Sequence, residues 1–247
     1  MNSMKIVIQR LLMVVVLLTI NMSVSIASDG ISLSRTRIIF LSSDKAQSVT
    51  MRNHGEKPFL VQSGVISSLN ERTPAPFLTT PPLFRLEGDS KSSLRILLKP
   101  GASLPSDRES VFYFTAIAVP AMRSLTDAAD QGMTARLSVG LQNTIKLFYR
   151  PAGLPVTPEE AEGRLNFEYQ NGRVAVINPT PYHLTFSRLK FDRLEVNVRQ
   201  GVSMVPPFSQ LEYATPSSVR QAEWMLINDY GGNSKTYKAE IKRGSKA

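Results

Sequence analysis

The chain has 247 residues, 42% hydrophobic and 20% charged, with 29 Lys and Arg against 20 Asp and Glu and no cysteine. This is the composition of an ordinary globular protein, which excludes disordered and low-complexity classes, and the missing cysteine excludes thiol catalysis, thiolate metal sites and disulfide staples. A formal charge of +9 makes a surface attractive to acidic partners, although basicity alone is weak evidence for nucleic acid.

Lys5 and Arg10 precede an apolar run, Leu11 to Ile20, that is too short to span a bilayer comfortably, and small residues follow at Ser25 and Ala27. The pattern is that of a signal peptide cut after Ala27, with a retained membrane anchor as the competing reading. Cleavage removes Lys5 and Arg10, takes the formal charge from +9 to +7, and makes nucleic acid a poor candidate partner for an exported chain.

From Ile31 onward short runs rich in Val, Ile, Phe, Thr and Tyr alternate at strand spacing between turn residues. The spacing predicts strands over Ile31–Phe40, Gln47–Asn53, Phe59–Ser67, Ser93–Lys99, Ser110–Val119 and Arg136–Tyr149, an all-β sandwich pattern. Pro151, Pro155 and Pro158 then break any regular element and mark the best domain boundary. Glu159, Glu160 and Glu162 offer one helical turn, read as a solvated acidic surface. A second β-rich set follows at Arg164–Tyr169, Gly172–Asn178, His183–Leu189, Leu194–Val198, Gln221–Asn228 and Lys235–Lys242, with turn signals at Asn171-Gly172, Asn178-Pro179-Thr180-Pro181 and Gly231-Gly232-Asn233. It reads as a second, smaller sandwich.

Candidate chemistry is sparse. The two histidines, His54 and His183, lack metal-ligand spacing and read as solvated or turn residues. No nucleophile elbow, zinc-protease motif or phosphate loop occurs. Asp107 and Glu109 lie two apart with an Arg between them, which a structural ion pair explains better than paired-carboxylate catalysis. The stretch from Arg136 to Tyr149 is unusually long for a strand and alternates Leu137, Val139, Leu141, Ile145 and Leu147 with polar residues. Periodicity leaves two readings open: a core strand with one face buried, or an edge strand whose apolar side chains await a partner.

The string Asn143-Thr144-Ile145-Lys146-Leu147-Phe148-Tyr149-Arg150-Pro151 resembles the most diagnostic segment of the PapD-like periplasmic pilus chaperones. Further similar segments recur in the family's order at Ser34–Phe40, Thr80–Leu86, Leu104–Ser110, Asn178–Tyr182 and Asn228–Gly232. The resemblance implies an all-β fold of two immunoglobulin-like β-sandwich domains arranged as a boomerang with an interdomain cleft. The expected organisation is a signal peptide over 1–27, a domain carrying a donor strand over 28–152 and a second domain over 153–247.

By the same resemblance the protein is a periplasmic chaperone that needs no cofactor and is not an enzyme. Its partners are pilus subunits and an outer-membrane usher, with self-association when free and no nucleic acid. Arg37 and Lys146 correspond to cations that anchor a subunit's C-terminal carboxylate, Leu137, Val139 and Leu141 to donated side chains, and Glu109, Arg150 and Asp229 to an interdomain ion network. No residue is expected to be catalytic or to bind metal. The segment Ala121–Thr134 is longer than in short-loop relatives, but without cysteine to brace it the short-loop class is favoured. The alternatives are an enzyme on an immunoglobulin-like scaffold, a non-chaperone exported binding protein of the same fold, or a pilus structural subunit. The last should be one incomplete sandwich rather than two.

Overall fold

The computed structural model describes residues 30–121, 139–215 and 218–243. Alternating burial builds the first sandwich. In β3 (Gln47–Asn53) and β4 (Phe59–Ile66) every second side chain, including Val49, Met51, Val61 and Val65, turns into the core while its neighbours face outward. One sheet has the order β1 (Ile31–Leu33), β3, β7 (Lys91–Leu98), β5 (Phe77–Thr80). The other has the order β2 (Arg37–Leu41), β9 (Leu141–Arg150), β8 (Ser110–Pro120), β4, β6 (Leu83–Leu86). Both sheets contribute to one core, in which Phe77 meets Phe40 and Phe112 edge-on with ring centroids 5.3 and 5.2 Å apart.

The strand expected over Ile31–Phe40 is two strands in different sheets. Ser34, Arg35 and Thr36 interrupt the alternation with three exposed polar residues. After Ser34, whose N–H reaches the Thr50 carbonyl at 2.8 Å, the chain leaves β3 and crosses to pair in parallel with β9. The strand expected from Arg136 begins, among the described residues, at Leu141, with Val139 and Gly140 outside any regular element. The short strands β5 and β6, which flank Pro81-Pro82, are not expected from periodicity; each is only four residues long.

Residues 151–157 carry no strand and lead into a single short helix, α1 (Pro158–Glu162). Thr157 caps it: its hydroxyl accepts from the Glu160 N–H while the Glu160 carboxylate accepts from the Thr157 N–H. Glu162 departs from the expected solvated turn. It is half-buried, accepts a 3.0 Å bond from the Tyr237 hydroxyl, and burial pushes its carboxyl above the usual range.

The second sandwich packs a sheet of order β15 (Ser209–Ala214), β11 (Arg173–Asn178), β10 (Asn166–Gln170), β18 (Lys242–Arg243) on one of order β13 (Leu194–Glu195), β12 (Leu184–Phe191), β16 (Gln221–Leu226), β17 (Tyr237–Glu240), with β14 (Met204–Val205) beside β12. Asn171 and Gly172, both at positive φ, form the hairpin turn between β10 and β11 that their sequence predicts. Trp224 is fully buried against Phe167 and donates its indole N–H to the Glu162 carbonyl at 3.0 Å. That bond pins α1 to the core. The strands β14 and β15 are likewise not expected from the sequence. Among the described residues no helix is long and apolar enough to cross a membrane.

Candidate functional site

The alternation of β2 sends Ile38 and Phe40 into the core and leaves Arg37, Ile39 and Leu41 on the opposite face. Parallel pairing with β9 then fixes their neighbours: Arg37 lies opposite Lys146, Ile39 opposite Phe148 and Leu41 opposite Arg150. Two cations distant in sequence are thereby placed side by side. Arg37 donates from Nη1 to the Ile227 carbonyl of the second sandwich at 2.8 Å, and its guanidinium lies 5.6 Å from the centre of the Phe148 ring. Its Nε is buried without a partner among the described residues.

Burial lowers the pKa of Arg37 despite the attraction of Asp229 and Glu109. Burial also lowers that of Lys146, and the neighbouring Arg37 charge adds to the effect. Among the described residues no carboxylate pairs with Lys146. A partly desolvated pair of cations in this arrangement suits an anion with two oxygens, the Arg offering a fork and the Lys a compact charge.

Immediately before this pair, β9 has an open edge. From Lys146 to Arg150 it lies between β8 and β2; from Leu141 to Ile145 its pairing among the described residues is with β8 alone. Burial along one face grades accordingly. Val139 is 62% exposed and Leu141 39%, Ile145 is half-buried against the first core, and Leu147 is fully within it. The upstream side chains stand in water beside unpaired backbone. Leu137 and residues 122–134 of the expected loop lie outside the described residues.

Glu109, Arg150 and Asp229 meet between the two sandwiches. Arg150 Nε lies 2.8 Å from Glu109, and its two terminal nitrogens make a bidentate contact with Asp229 at 2.6 and 2.8 Å. Burial opposes the Arg150 charge, but the bonds to Asp229 and the nearby Glu109 outweigh it and hold its pKa above the ordinary arginine value. The side chain of Glu109 is 2% exposed, and its second oxygen accepts the His183 backbone N–H at 2.9 Å. Asp107 pairs instead with its neighbour Arg108 on the surface, so the two acids do not form a catalytic couple.

His183 corrects the expectation of a solvated residue. Its side chain is 7% exposed, packs 5.6 Å from Phe148 and has Nδ1 3.6 Å from Glu109. His54 does sit in an exposed turn, sharing a 2.8 Å bond with Ser32. Sequence reasoning also missed the Ile227 carbonyl, and it marked Gly231 as a turn residue without its approach to Thr36. Gly231 has φ +85° and lies so close to Thr36 that a Cβ there would strike its hydroxyl. Backbone carbonyls and close approaches carry no residue-type signal except the glycine itself. Among the described residues no group of three His, Asp or Glu could hold a metal ion.

Residues 30–155 match the family described as pili and flagellar-assembly chaperone, PapD N-terminal domain, and residues 160–238 match the pili assembly chaperone PapD, C-terminal domain. The chain is 34% identical over 216 residues to the chaperone protein FocC of Escherichia coli, covering 86% of this chain and 91% of FocC. In three dimensions it is similar, with a TM-score of 0.75 and 31% identity, to a chain from the structure of the Salmonella enterica SafA pilin in complex with the SafB chaperone, covering 86% of this chain and 96% of that one. The periplasmic chaperone SfaE gives a TM-score of 0.69 at 28% identity, covering 87% of this chain and all of its own.

Proposed function

Since the chain belongs to the PapD-like family of pilus-assembly chaperones, we propose that it holds pilus subunits in the periplasm by lending them the open edge of β9, then passes them to an outer-membrane usher. A pilus subunit of this kind is a sandwich lacking its last strand, with an apolar groove and unpaired sheet edges that aggregate if left open. Leu137, Val139 and Leu141 fill that groove. Arg37 and Lys146 take the subunit's C-terminal carboxylate and so set the register of the added strand. Three inserted side chains, each contributing about 1.5–3 kcal/mol when fully buried, offset the ordering of the strand. The contact breaks when the subunit is handed on.

One observation carries this reading. The Arg37–Lys146 pair, whose lysine has no carboxylate partner among the described residues, sits at the point where β9 gains its second neighbour, so an anchored chain end would run directly onto the edge that among those residues pairs with β8 alone. Periplasmic location rests on the signal-peptide pattern before Ser28 and on the family. The network of Glu109, Arg150 and Asp229 sets the angle between domains 28–152 and 153–247, and so the shape of the cleft. The family is one of chaperones, and no step of this function calls for catalysis.

The test is periplasmic co-expression of tagged chain with the pilus-subunit genes neighbouring its own, followed by pull-down. Wild type should recover one-to-one complexes and the folded Arg37→Ala/Lys146→Ala variant should not. Equal recovery by both would remove these residues from the anchor; failure of wild type with every neighbouring subunit would count against the function itself.

A further inference from the structure

Tyr230 is 96% exposed, yet it stands on a loop tied at several points. Within the loop, the Asn228 side-chain oxygen accepts the N–H groups of Tyr230 and Gly232 at 3.1 and 3.0 Å, and the backbones of Asn228 and Gly232 bond at 2.9 Å. Outside it, the Ile227 carbonyl takes Arg37, Asp229 takes Arg150, and Gly231 is pressed onto Thr36. The ring itself makes no hydrogen bond or aromatic contact among the described residues. A fold gains nothing internal from holding a bare aromatic ring in water, but a binding surface does. A rigid ring with few rotamers loses little entropy when it is covered, which is why tyrosine is favoured as an interface anchor.

Its position says what would cover it. Tyr230 lines two grooves, one of about 320 Å³ bounded also by Phe148 and Lys235, the other of about 580 Å³ bounded by Arg35, Leu41 and Gln47. Arg37 lines both. A chain end lying in either groove beside that guanidinium would share the groove with the tyrosine.

We propose that Tyr230 is a subunit-contacting residue of the second sandwich, packing on the last few residues of a pilus subunit as the terminal carboxylate reaches Arg37 and Lys146. The second domain is then part of the recognition surface as well as a brace for the cleft. The inference rests on the chaperone reading given above and adds a residue that its anchor and donor strand do not require.

The probe is a pilus subunit that the wild-type chain captures in the periplasm, with the purified complex chased by excess chaperone bearing a different tag. Tyr230→Ala should release the subunit about tenfold faster, and Tyr230→Phe should stay close to wild type. Because the ring has no internal role, both free variants should melt at the wild-type temperature. A Tyr230→Trp variant reports contact directly: its added emission should shift to the blue and escape iodide quenching in the complex. Wild-type release by Tyr230→Ala, or added indole emission equally quenched in the free and bound Tyr230→Trp variant, would overturn the inference. Failure of the underlying reading looks different: wild type would then capture no neighbouring subunit, and failure of its anchor alone would leave Arg37→Ala/Lys146→Ala holding the subunit as well as wild type does.

Discussion

Arg37 and Lys146 lie opposite one another in the parallel register of β2 and β9, and burial makes each a weaker base than it is in water. Two neighbouring cations in such a place raise the energy of the free protein, and an anion placed between them relieves it. On the proposed function a subunit's terminal carboxylate supplies that anion, and the cleft should then favour a chain terminus over internal peptide.

The lysine makes this testable by pH. Its pKa lies below the ordinary lysine value in the free protein because of burial and the Arg37 charge, and a bound carboxylate raises it again. Subunit binding therefore takes up protons in alkaline solution, and affinity falls as pH rises through the free-state pKa. Titration calorimetry in alkaline solution below the ordinary lysine pKa of about 10.4, in buffers of different ionisation enthalpy, should register proton uptake. Zero uptake, or release, would contradict the lysine's role.

Val139 is mostly in water in the free chain and Leu141 about two-fifths so, and a charge at either should spare folding and spoil function. Val139→Asp and Leu141→Asp are expected to shift the melting temperature by no more than about 2 °C, in keeping with a surface change within about 0.5 kcal/mol. Each should abolish recovery of subunit complexes. A variant that melts normally and still captures subunit would remove that residue from the donated face.

The ion network should respond unequally to loss of its two acids. Glu109→Ala leaves Arg150 Nε and the His183 N–H without their acceptor in a buried place, and is expected to cost about 3–5 kcal/mol. Asp229 is one-third exposed, so water replaces part of what Asp229→Ala removes, and about 1–3 kcal/mol is expected. Denaturant melts measure the costs, and small-angle scattering should show an altered domain arrangement for Asp229→Ala. Unchanged scattering with full subunit capture would end the claim that this pair sets the cleft.

Most of the fold was legible because burial imposes a two-residue period. The alternation of Gln47–Asn53 gave β3 its bounds, and Asn171-Gly172 announced a hairpin. The division of Ile31–Phe40 between two sheets was not legible, since polar residues at Ser34 to Thr36 do not by their type tell an irregularity within one strand from a crossing between sheets. The strands β5, β6 and β14 are too brief to show a period, whereas β15 does alternate, with Leu211 and Tyr213 turned to the core, and was simply not expected.

At the site, Lys146 and Arg150 stood out through a family-like string, whereas periodicity alone would have left both as surface cations. His183 was misread because nothing in a Pro-rich neighbourhood shows that another domain will cover it. The Ile227 carbonyl bond to Arg37 depends on a contact 190 residues away in the chain and on no particular side chain at 227.

On the proposed function the edge of β9 from Leu141 to Ile145, which among the described residues pairs with β8 alone, gains a second strand when a subunit is held. Hydrogen exchange of the backbone amides in β9, measured on the free chain and on the purified complex, tests it most directly. Amides of residues 141–145 that point away from β8 should exchange readily in the free chain and become strongly protected in the complex, while those of 146–150, already between β8 and β2, change little. Continued rapid exchange at 141–145 in a stable one-to-one complex would show that the subunit is held in some other way.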